Sequence, residues 1–547
     1  MNIGIVQHNP MLGDFAGNSA TLLAQVAKAA AQGAALCVAP GWALCGGGAG
    51  NLLQRNVFAQ ANQEALPAFA KAHAAKGLPP VLLGVAIAAH GAAAERQHAA
   101  VLVENGTYTV VARQCFTPHG AGEQASRILV PGEPCGLVRV GGHRFAVLLG
   151  EASLLESFPE EESLLCDCLQ HHRVAGICIL GALPYRHFRR EKVMKNAASM
   201  AQRHGTSVFL ANLAGGTDSN VFYGGSFACN AKGQLLALAP LFQEAVVQAK
   251  GEATPLQGEA AVLAGREEAL WQALVTGTRD FVRKCGLTRV VLGLSGGMDS
   301  ALVAAIAAEA LGPENVMGLL LPSPYSSQGS IDHSLELAAN VGIATHTVPI
   351  EPVLDAARHT MEAAFPPGLT GLAGENIQAR IRGMLLMAYA NQFGAMLLNT
   401  SNKSESAVGY STLYGDSCGG LGVIADVYKT ETYALARWLN ARNGKEVIPS
   451  VILQKAPSAE LRPDQKDSDS LPPYEVLDKV LYLLVEEGKS RAEVVAAGFD
   501  SAVVNEVRRL MDGSEFKRRQ TPPALHVSAQ PFGPEQQLPL AMRAMCK

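Results

Sequence analysis

The amino-acid sequence predicts an α/β protein of two domains, each built from a layered sheet and helices. The chain has 547 residues, which is too long for one ordinary core and fits two domains of roughly 250 to 300 residues. Short apolar runs alternate with Ala-rich helical patterns in both halves. Residues 251–265 are rich in Gly, Ala, Glu and Pro, and they predict a linker between the domains 1–250 and 266–547.

In the first domain, six short apolar runs predict strands that alternate with helices. Runs of this length, bounded by turn residues, are typical of strands buried on both faces of a sheet. An Ala-rich stretch at 21–31 predicts a helix between the first two runs. The predicted strands are 3–6, 35–39, 81–87, 145–149, 176–180 and 207–211.

The second domain opens with a predicted amphipathic helix at Arg266, after which the alternation resumes. Residues 290–294 form a β-branched, apolar strand pattern, and residues 300–311 form an Ala-rich helix pattern. A further helix is predicted from 375 to 389 and a further strand at 396–400. Ligands bind at the carboxyl ends of strands in open α/β sheets, so we expect the site in the loops that follow these strands.

Composition and charge exclude several classes of protein. The formal net charge is -4, which offers no global basic field for nucleic acid. No apolar run reaches the roughly 18 residues of a membrane span, and the N-terminus has no secretory signal pattern. The 11 cysteines include one close pair, Cys166 and Cys168, without a second pair at zinc-site spacing. We therefore expect a cytoplasmic protein with reduced thiols and no nucleic-acid or membrane partner.

The turn at 295–300, between a strand and a helix, has the composition of an anion site. Gly296 and Gly297 let the backbone curl so that amide hydrogens converge with the positive helix N-terminus. Ser295 and Ser300 add hydroxyl donors. Asp299 would repel a phosphate unless a divalent cation lay between them, so the sequence predicts Mg²⁺ bridging the carboxylate and the phosphate oxygens.

This turn differs from the phosphate loop of kinases and GTPases because no lysine follows the glycines. It reads Ser-Gly-Gly-Met-Asp-Ser and resembles the loop of ATP pyrophosphatases, which bind the pyrophosphate of ATP and transfer AMP to an acceptor oxygen. The resemblance implies a doubly wound parallel sheet of the ATP pyrophosphatase (adenine nucleotide alpha hydrolase-like) type. That superfamily includes synthetases for GMP, asparagine and argininosuccinate, so the loop alone leaves the acceptor open.

Further motifs in the second domain narrow the acceptor. They lie at 375–382, 396–405, 409–416, 429–430, 457–461 and 517–520. Together they resemble the motifs of NAD synthetases, over residues 270–535. In that family ATP and deamido-NAD bind side by side, the nicotinate carboxylate attacks the α-phosphate, and pyrophosphate leaves. Ammonia then displaces AMP to form the amide of NAD.

The resemblance implies a role for each matching residue. Asp299 and Glu405 are expected to hold Mg²⁺, and with Lys429 and Lys517 they form the catalytic set that offsets charge on the phosphates. Contacts with deamido-NAD are expected from Asn376, Arg380, Glu405 and Lys517. Contacts with ATP are expected from Gly293, Leu294, Ser295, Gly296, Gly297, Met298, Asp299, Ser300, Thr400 and Lys429.

The first domain resembles the nitrilase-like amidase of glutamine-dependent NAD synthetases, an α/β sandwich that releases ammonia with a Glu, Lys and Cys triad. Motifs at 13–18, 51–53 and 216–227 carry this resemblance. The glutamate position holds Gly41, the cysteine position holds Gly150, and the lysine position holds Gln114, or Arg113 if the alignment shifts by one. Acyl transfer needs a nucleophile, a base and a cation, so we expect an inactive amidase.

The resulting hypothesis is an NAD synthetase that uses free ammonia, or ammonia delivered by a separate protein. Three alternatives stay open. They are glutamine use through a rescued or partner-supplied glutaminase, amidation of a different acid by another type of ATP pyrophosphatase, and a scaffold or regulatory role for residues 1–250. The resemblance also implies a homo-oligomer, at least a dimer through the synthetase domain.

Overall fold

The computed structural model describes residues 1–88, 96–114, 135–150, 169, 172–250, 265–364, 368–533 and 536–541. The chain divides into two compact units, Met1–Gly265 and Arg266–Lys547. Of the predicted linker 251–265, only Gly265 lies within the described residues.

The strands of the first unit form two six-stranded sheets and one hairpin. In chain order they are β1 (Asn2–Gln7), β2 (Leu36–Val38), β3 (Val81–Ala88), β4 (Arg96–Glu104), β5 (Thr107–Arg113), β6 (Cys135–Val140), β7 (His143–Leu149), β8 (Gly176–Leu180), β9 (Ser207–Ala211), β10 (Ala214–Thr217), β11 (Asn220–Tyr223), β12 (Phe227–Cys229), β13 (Leu235–Leu238) and β14 (Ala245–Lys250). One sheet has the order β14-β1-β2-β3-β4-β5 and the other β13-β12-β9-β8-β7-β6. Strands β10 and β11 form the hairpin.

Apolar side chains from both six-stranded sheets share one core, which includes Ile5, Leu82, Phe145 and Leu180. Helices α1 (Phe15–Ala31) and α2 (Asn56–Ala75) pack with a second core on the first sheet, around Val26, Phe69 and Val101. Helix α3 (Arg189–His204) contacts β9 and β12. These layers confirm the predicted nitrilase-like α/β sandwich.

Helix α1 and strand β4 show where the sequence prediction of this unit fell short. Helix α1 begins six residues before the predicted start at 21, because the Asp14 side chain accepts a hydrogen bond from the Gly17 amide and caps the helix. Strand β4 was not predicted, because it opens with three polar residues, Arg96, Gln97 and His98, although all three are buried.

The second unit contains a parallel sheet of five strands. These are β15 (Arg289–Gly293), β16 (Val316–Leu320), β17 (Ala344–Thr347), β18 (Ala395–Asn399) and β19 (Leu421–Gly422), in the order β17-β16-β15-β18-β19. The chain extends the sheet in one direction from β15 to β17 and in the other from β18. The topological switch point, where ligands bind in such sheets, therefore lies between β15 and β18.

Helices flank this sheet, which confirms the predicted doubly wound fold. They are α4 (Arg266–Lys284), α5 (Met298–Leu311), α6 (Gln328–Val341), α7 (Glu351–Ala364), α8 (Gly371–Phe393), α9 (Lys403–Val408), α10 (Lys429–Asn443), α11 (Ser450–Gln454), α12 (Tyr474–Leu481), α13 (Arg491–Ala496), α14 (Ser501–Gly513) and α15 (Glu515–Arg518). Helix α8 packs on Val291 and Leu397 of the sheet, whereas α9, α12 and α14 share a separate helical core. No helix in the described part of the chain is long and apolar enough to span a membrane.

Candidate functional site

The turn at 295–300 is a tight curl between β15 and α5. Gly296 has a φ of +70°, and a Cβ built on it would lie 2.4 Å from the carbonyl oxygen of Ser330, so a side chain cannot be placed there without displacing α6. The Ser300 hydroxyl lies 3.1 Å from the Ser295 hydroxyl and donates to the Gly297 carbonyl at 3.1 Å. The two serine side chains therefore stabilise the turn through hydrogen bonds within it.

Helix α5 opens directly from this turn. Gly297 is its N-cap and supplies no side-chain cap. The first N–H groups of a helix lack partners within the helix and carry its partial positive charge, so an uncapped start of this kind favours an anion. The geometry therefore matches the anion site that the sequence predicts.

A second strand ends beside this turn, because β18 is the direct neighbour of β15. Thr400 follows β18 and lines the same cavity as the turn. Helix α9 begins just beyond it, where Asn402 and Glu405 form a capping box. The Asn402 side-chain amide also donates to Asp299 Oδ1 at 3.2 Å, which connects the two strand ends.

Three charged side chains meet at this switch point. The Lys429 ammonium, at the start of α10, forms a very short ion pair with Asp299 and lies 3.6 Å from Glu405 Oε1. The amide N–H of Lys429 donates to the Ser404 hydroxyl at 2.9 Å, which holds α10 against α9. Lys429 is only 3% exposed, so this ammonium is a fixed part of the site rather than a surface charge.

The electrostatics of the cluster determine the protonation states of Lys429 and Glu405. Burial opposes the charge on Lys429, but the carboxylates of Asp299 and Glu405 outweigh it and raise the pKa of the lysine. Burial, with repulsion from Asp299, raises the pKa of Glu405 from 4.5 to about 8. The cluster at neutral pH therefore holds a charged lysine, whose ion-pair partner is Asp299, and a largely protonated Glu405.

The raised pKa of Glu405 predicts a pH-dependent stability. Between about pH 5 and pH 8 the folded state keeps the proton on Glu405 while the unfolded chain loses it, so stability falls as pH rises. Glu405→Gln lacks this titration. We expect the melting temperature of the ligand-free wild type, relative to that of Glu405→Gln, to fall from pH 5 to pH 8. A difference that stays constant across this range would show that Glu405 does not hold the proton.

The same carboxylates decide whether Mg²⁺ fits. Among the described residues there is no group of three or more His, Cys, Asp or Glu side chains that could hold a metal ion. Asp299 and Glu405 instead converge on one ammonium, that of Lys429, so their carboxyl groups face the same space. Two hard oxygen ligands, to be completed by phosphate oxygens and water, match the way Mg²⁺ is bound in nucleotide sites. The donor set therefore fits this ion.

A cavity of about 290 Å³ opens at the switch point. All residues that the resemblance assigns to ATP, except Gly296, line it. The assigned residues in the lining are Gly293, Leu294, Ser295, Gly297, Met298, Asp299, Ser300, Thr400, Glu405 and Lys429.

The other three assigned residues hold the segment 409–416 rather than lining this cavity. Lys517 donates to the carbonyl oxygens of Gly409 and Ser411 at 2.8 and 2.7 Å. Arg380 donates to the carbonyl oxygen of Leu413 at 3.2 Å, and Asn376 accepts a hydrogen bond from the Thr412 hydroxyl at 2.8 Å. All three residues therefore contact one loop, 409–416, at the edge of the site.

Lys455 and Asp467 are among the ionisable residues of the cavity lining that were not predicted as site residues. Lys455 donates to Glu460 at 2.9 Å and to the Ser330 hydroxyl, directly behind the turn. Asp467 is buried, and its Oδ2 accepts a hydrogen bond from the Tyr474 hydroxyl at 2.9 Å. A usable signal for Lys455 was its position two residues before the 457–461 motif, whereas nothing local marks Asp467 as buried.

In the first unit, the three positions that the resemblance assigns to the amidase triad lie at strand ends. Gly41 follows β2, Gln114 follows β5 and Gly150 follows β7. A Cβ on Gly150 would lie 3.5 Å from Gln114 Nε2, and Gln114 Oε1 lies 2.9 Å from His98 Nδ1. A Cβ on Gly41 would lie 3.0 Å from the same imidazole. His98, which the sequence did not single out, is therefore a neighbour that Gly41 and Gln114 share.

Comparison with known proteins relates the whole chain to one family. The NAD synthase family matches residues 270–521. A protein of Synechocystis sp. named glutamine-dependent NAD(+) synthetase is 40% identical over 98% of this chain and 98% of its own length. A protein of Thermotoga maritima with the same name is 37% identical over 99% of both chains.

Solved structures give the same relation. A glutamine-dependent NAD⁺ synthetase from Acinetobacter baumannii, solved in complex with ADP, is 29% identical with a TM-score of 0.77, and the match covers 100% of this chain and 99% of that one. A glutamine-dependent NAD(+) synthetase from Cytophaga hutchinsonii shares the fold at 19% identity, with a TM-score of 0.82 and 100% and 98% coverage. The chain therefore belongs to the family of two-domain NAD synthetases, the C–N ligases in which a nitrilase-like unit precedes the synthetase unit.

Proposed function

We propose that the chain amidates deamido-NAD to NAD at the expense of ATP, releasing AMP and pyrophosphate, with ammonia as the nitrogen donor. The observation that carries the synthetase part is the convergence of the 295–300 turn, Asp299, Glu405 and Lys429 in one cavity at the switch point. The relatives' name and the ADP-bound neighbour support ATP and NAD as the ligand chemistry.

The chemistry requires activation of a carboxylate, which is a poor acylating agent. In the first step an oxygen of the nicotinate carboxylate bonds to the α-phosphorus of ATP, and the bond to pyrophosphate breaks. In the second step ammonia bonds to the carbonyl carbon, the bond to AMP breaks, and a proton is lost. This route needs no nucleophile from the protein, and what it needs is stabilisation of phosphate charge.

The described residues can supply that stabilisation. The turn amides and the start of α5 bind phosphate oxygens, and Lys429 adds a desolvated positive charge beside them. Asp299 and Glu405 would hold Mg²⁺, which supplies further positive charge for the phosphates when bound. We assign Asn376, Arg380 and Lys517 to the deamido-NAD side, because all three hold the loop 409–416 at the edge of the cavity.

Ammonia is proposed as the donor because the first unit lacks the chemistry of an amidase. Position 150 follows strand β7 with a φ of +78°, the strained turn in which a nucleophile would stand, but a glycine has no side chain to attack an amide. Gln114 is uncharged, and Gly41 supplies no base. The neighbouring Cys45 is buried, and burial raises the pKa of its thiol to about 12, so it is no substitute nucleophile.

The nitrogen source tests this proposal directly. With ammonium chloride the pure chain is expected to form NAD, whereas with glutamine alone turnover is expected to fall by at least about 10³-fold, because an acyl-transfer triad acts as a unit. NAD formation is followed by chromatography and mass analysis. Adding a separate glutaminase to the glutamine reaction is the control, and it should restore turnover.

The relatives' name favours a second candidate, a glutamine-dependent enzyme with a rescued or partner-supplied glutaminase. Efficient use of glutamine by the pure chain would establish a rescued site, and use of glutamine only with a cell fraction would establish a partner. AMP release with an acid other than deamido-NAD would identify a different amidating ligase. A homo-oligomer through the synthetase unit, a cytoplasmic location and a scaffold role for residues 1–250 belong to the same proposal.

A further inference from the structure

Two of the positions assigned to the amidase triad, Gly41 and Gln114, lie beside a buried imidazole. His98 is 2% exposed, and its ring stacks on the indole of Trp42, with centroids 4.0 Å apart and planes at 10°. Its Nδ1 lies 2.9 Å from Gln114 Oε1. Trp42 and Gln114 therefore hold the ring in one orientation between positions 41 and 114.

The glycines around the ring show how little space it leaves. A Cβ built on Gly41 would lie 3.0 Å from His98 Cε1 and 3.2 Å from Nε2, whereas the nearest other atom, the Leu180 carbonyl oxygen, is at an ordinary 3.4 Å. A Cβ on Gly84 would lie 2.9 Å from His98 Nε2 and 2.6 Å from Gly41 Cα. The ring thus occupies the volume into which a side chain at position 41 would extend.

We infer that His98 closes the former amidase pocket, so that a carboxamide such as glutamine is excluded by occupied volume as well as by missing catalytic groups. The inference rests on the proposed loss of glutamine hydrolysis. Its consequence is that replacing Gly41, Gln114 and Gly150 by Glu, Lys and Cys does not recreate an amidase while His98 is present, because the glutamate and the imidazole need the same space.

The imidazole does not replace the lost base. Burial lowers the pKa of His98 to about 4, so the ring is neutral and binds a proton weakly at neutral pH. Position 150, which would need the base to activate a nucleophile, has no side chain. His98 is therefore a specificity-determining residue through its volume and its fixed orientation.

A double-mutant cycle in the full-length chain tests this role. Gly41→Ala adds one methyl group against the ring, and it is expected to lower the melting temperature of the first unit by at least about 3 °C. In the His98→Ala background the same change is expected to cost less than about 1 °C, because the atoms that crowd the methyl group are gone. His98→Ser serves as a second small replacement if His98→Ala does not fold.

Gly176→Ala is the matched control. Its Cβ would lie 2.5 Å from Phe209 Cε2, at the opposite end of β8 from Leu180, so its effect should be equal with and without His98. A general loss of stability on removing His98 would change the effects of Gly41→Ala and Gly176→Ala on the melting temperature in the same way. Equal effects of Gly41→Ala in both backgrounds would overturn the inference.

The catalytic consequence gives a second measurement. The triple variant Gly41→Glu, Gln114→Lys, Gly150→Cys, with His98 intact, is expected to release no more glutamate from glutamine than the wild type. Glutamate release by that variant would also overturn the inference. Use of glutamine by the wild type would sink the proposed function and the exclusion of glutamine with it, whereas glutamate release by the triple variant alone, or equal effects of Gly41→Ala in both backgrounds, would overturn only the inference.

Discussion

Lys429→Met is expected to reduce NAD formation from ammonia by about 10³-fold, with most of the loss in kcat/KM for ATP. The ammonium is buried, contacts Asp299 and lies 3.6 Å from Glu405. Removing it leaves the Asp299 carboxylate without its positive partner and takes away a fixed charge that would stabilise the phosphates. Steady-state kinetics with deamido-NAD and saturating ammonium measure the effect.

Two controls distinguish the loss of the Lys429 charge from a loss of folding stability. Lys489→Met removes a half-exposed ammonium whose partner is Glu487, at 2.7 Å, and it should leave both kinetics and melting temperature unchanged because exposed ion pairs contribute little. The melting temperature of Lys429→Met then reports any loss of stability. Activity within about threefold of the wild type in a folded Lys429→Met protein would remove Lys429 from the catalytic set.

Gly296→Ala is expected to raise the KM for ATP by about 100-fold. The positive φ of +70° strains any L-residue at this position, and the added methyl group would lie 2.4 Å from the Ser330 carbonyl oxygen and 2.8 Å from Ser330 Cα. Relief requires the turn or α6 to move, and a displacement of about 1 Å is enough to misplace the amide donors. ATP titrations of NAD formation measure the shift.

The neighbouring glycine provides the matched control. Gly297 has a φ of -98°, and a Cβ on it would meet only the Ser295 hydroxyl, at 3.2 Å, a short side chain that can rotate. Gly297→Ala should therefore stay within about fivefold of the wild type, with the small loss expected at a helix N-cap. Equal effects of Gly296→Ala and Gly297→Ala on the KM for ATP would show that the turn at Gly296 does not position the phosphates.

Much of the synthetase unit could be predicted from sequence because its signals are local. The strand at 290–294, the turn at 295–300 and the helix at 300–311 follow one another within about 20 residues, and their periodicity and glycines specify the geometry directly. Thr400 was assigned to ATP by the family resemblance, and the sequence predicted it at the end of the strand 396–400, where ligands bind in open α/β sheets.

Other features could not be predicted from local patterns because they depend on contacts that are distant in sequence. Lys429 was assigned only through the family resemblance, since it lies 130 residues from Asp299 and a lysine taken alone is more often exposed than buried. Asp467 is buried by helices that no local pattern places beside it. Strand β4 escaped prediction because its first three residues are polar, and one of them is His98.

The sequence by itself determined the two-domain α/β organisation and the glycine-rich turn at 295–300, and it has Gly41, Gln114 and Gly150 at the positions that the resemblance assigns to the amidase triad. Only the tertiary structure decided which distant charges share a space and which side chain lies beside positions 41 and 114. The pKa of Glu405 depends on burial and on the charge of Asp299, and the position of His98 depends on Trp42 and Gln114. Burial and through-space contact are properties of the folded chain, and no local pattern encodes them.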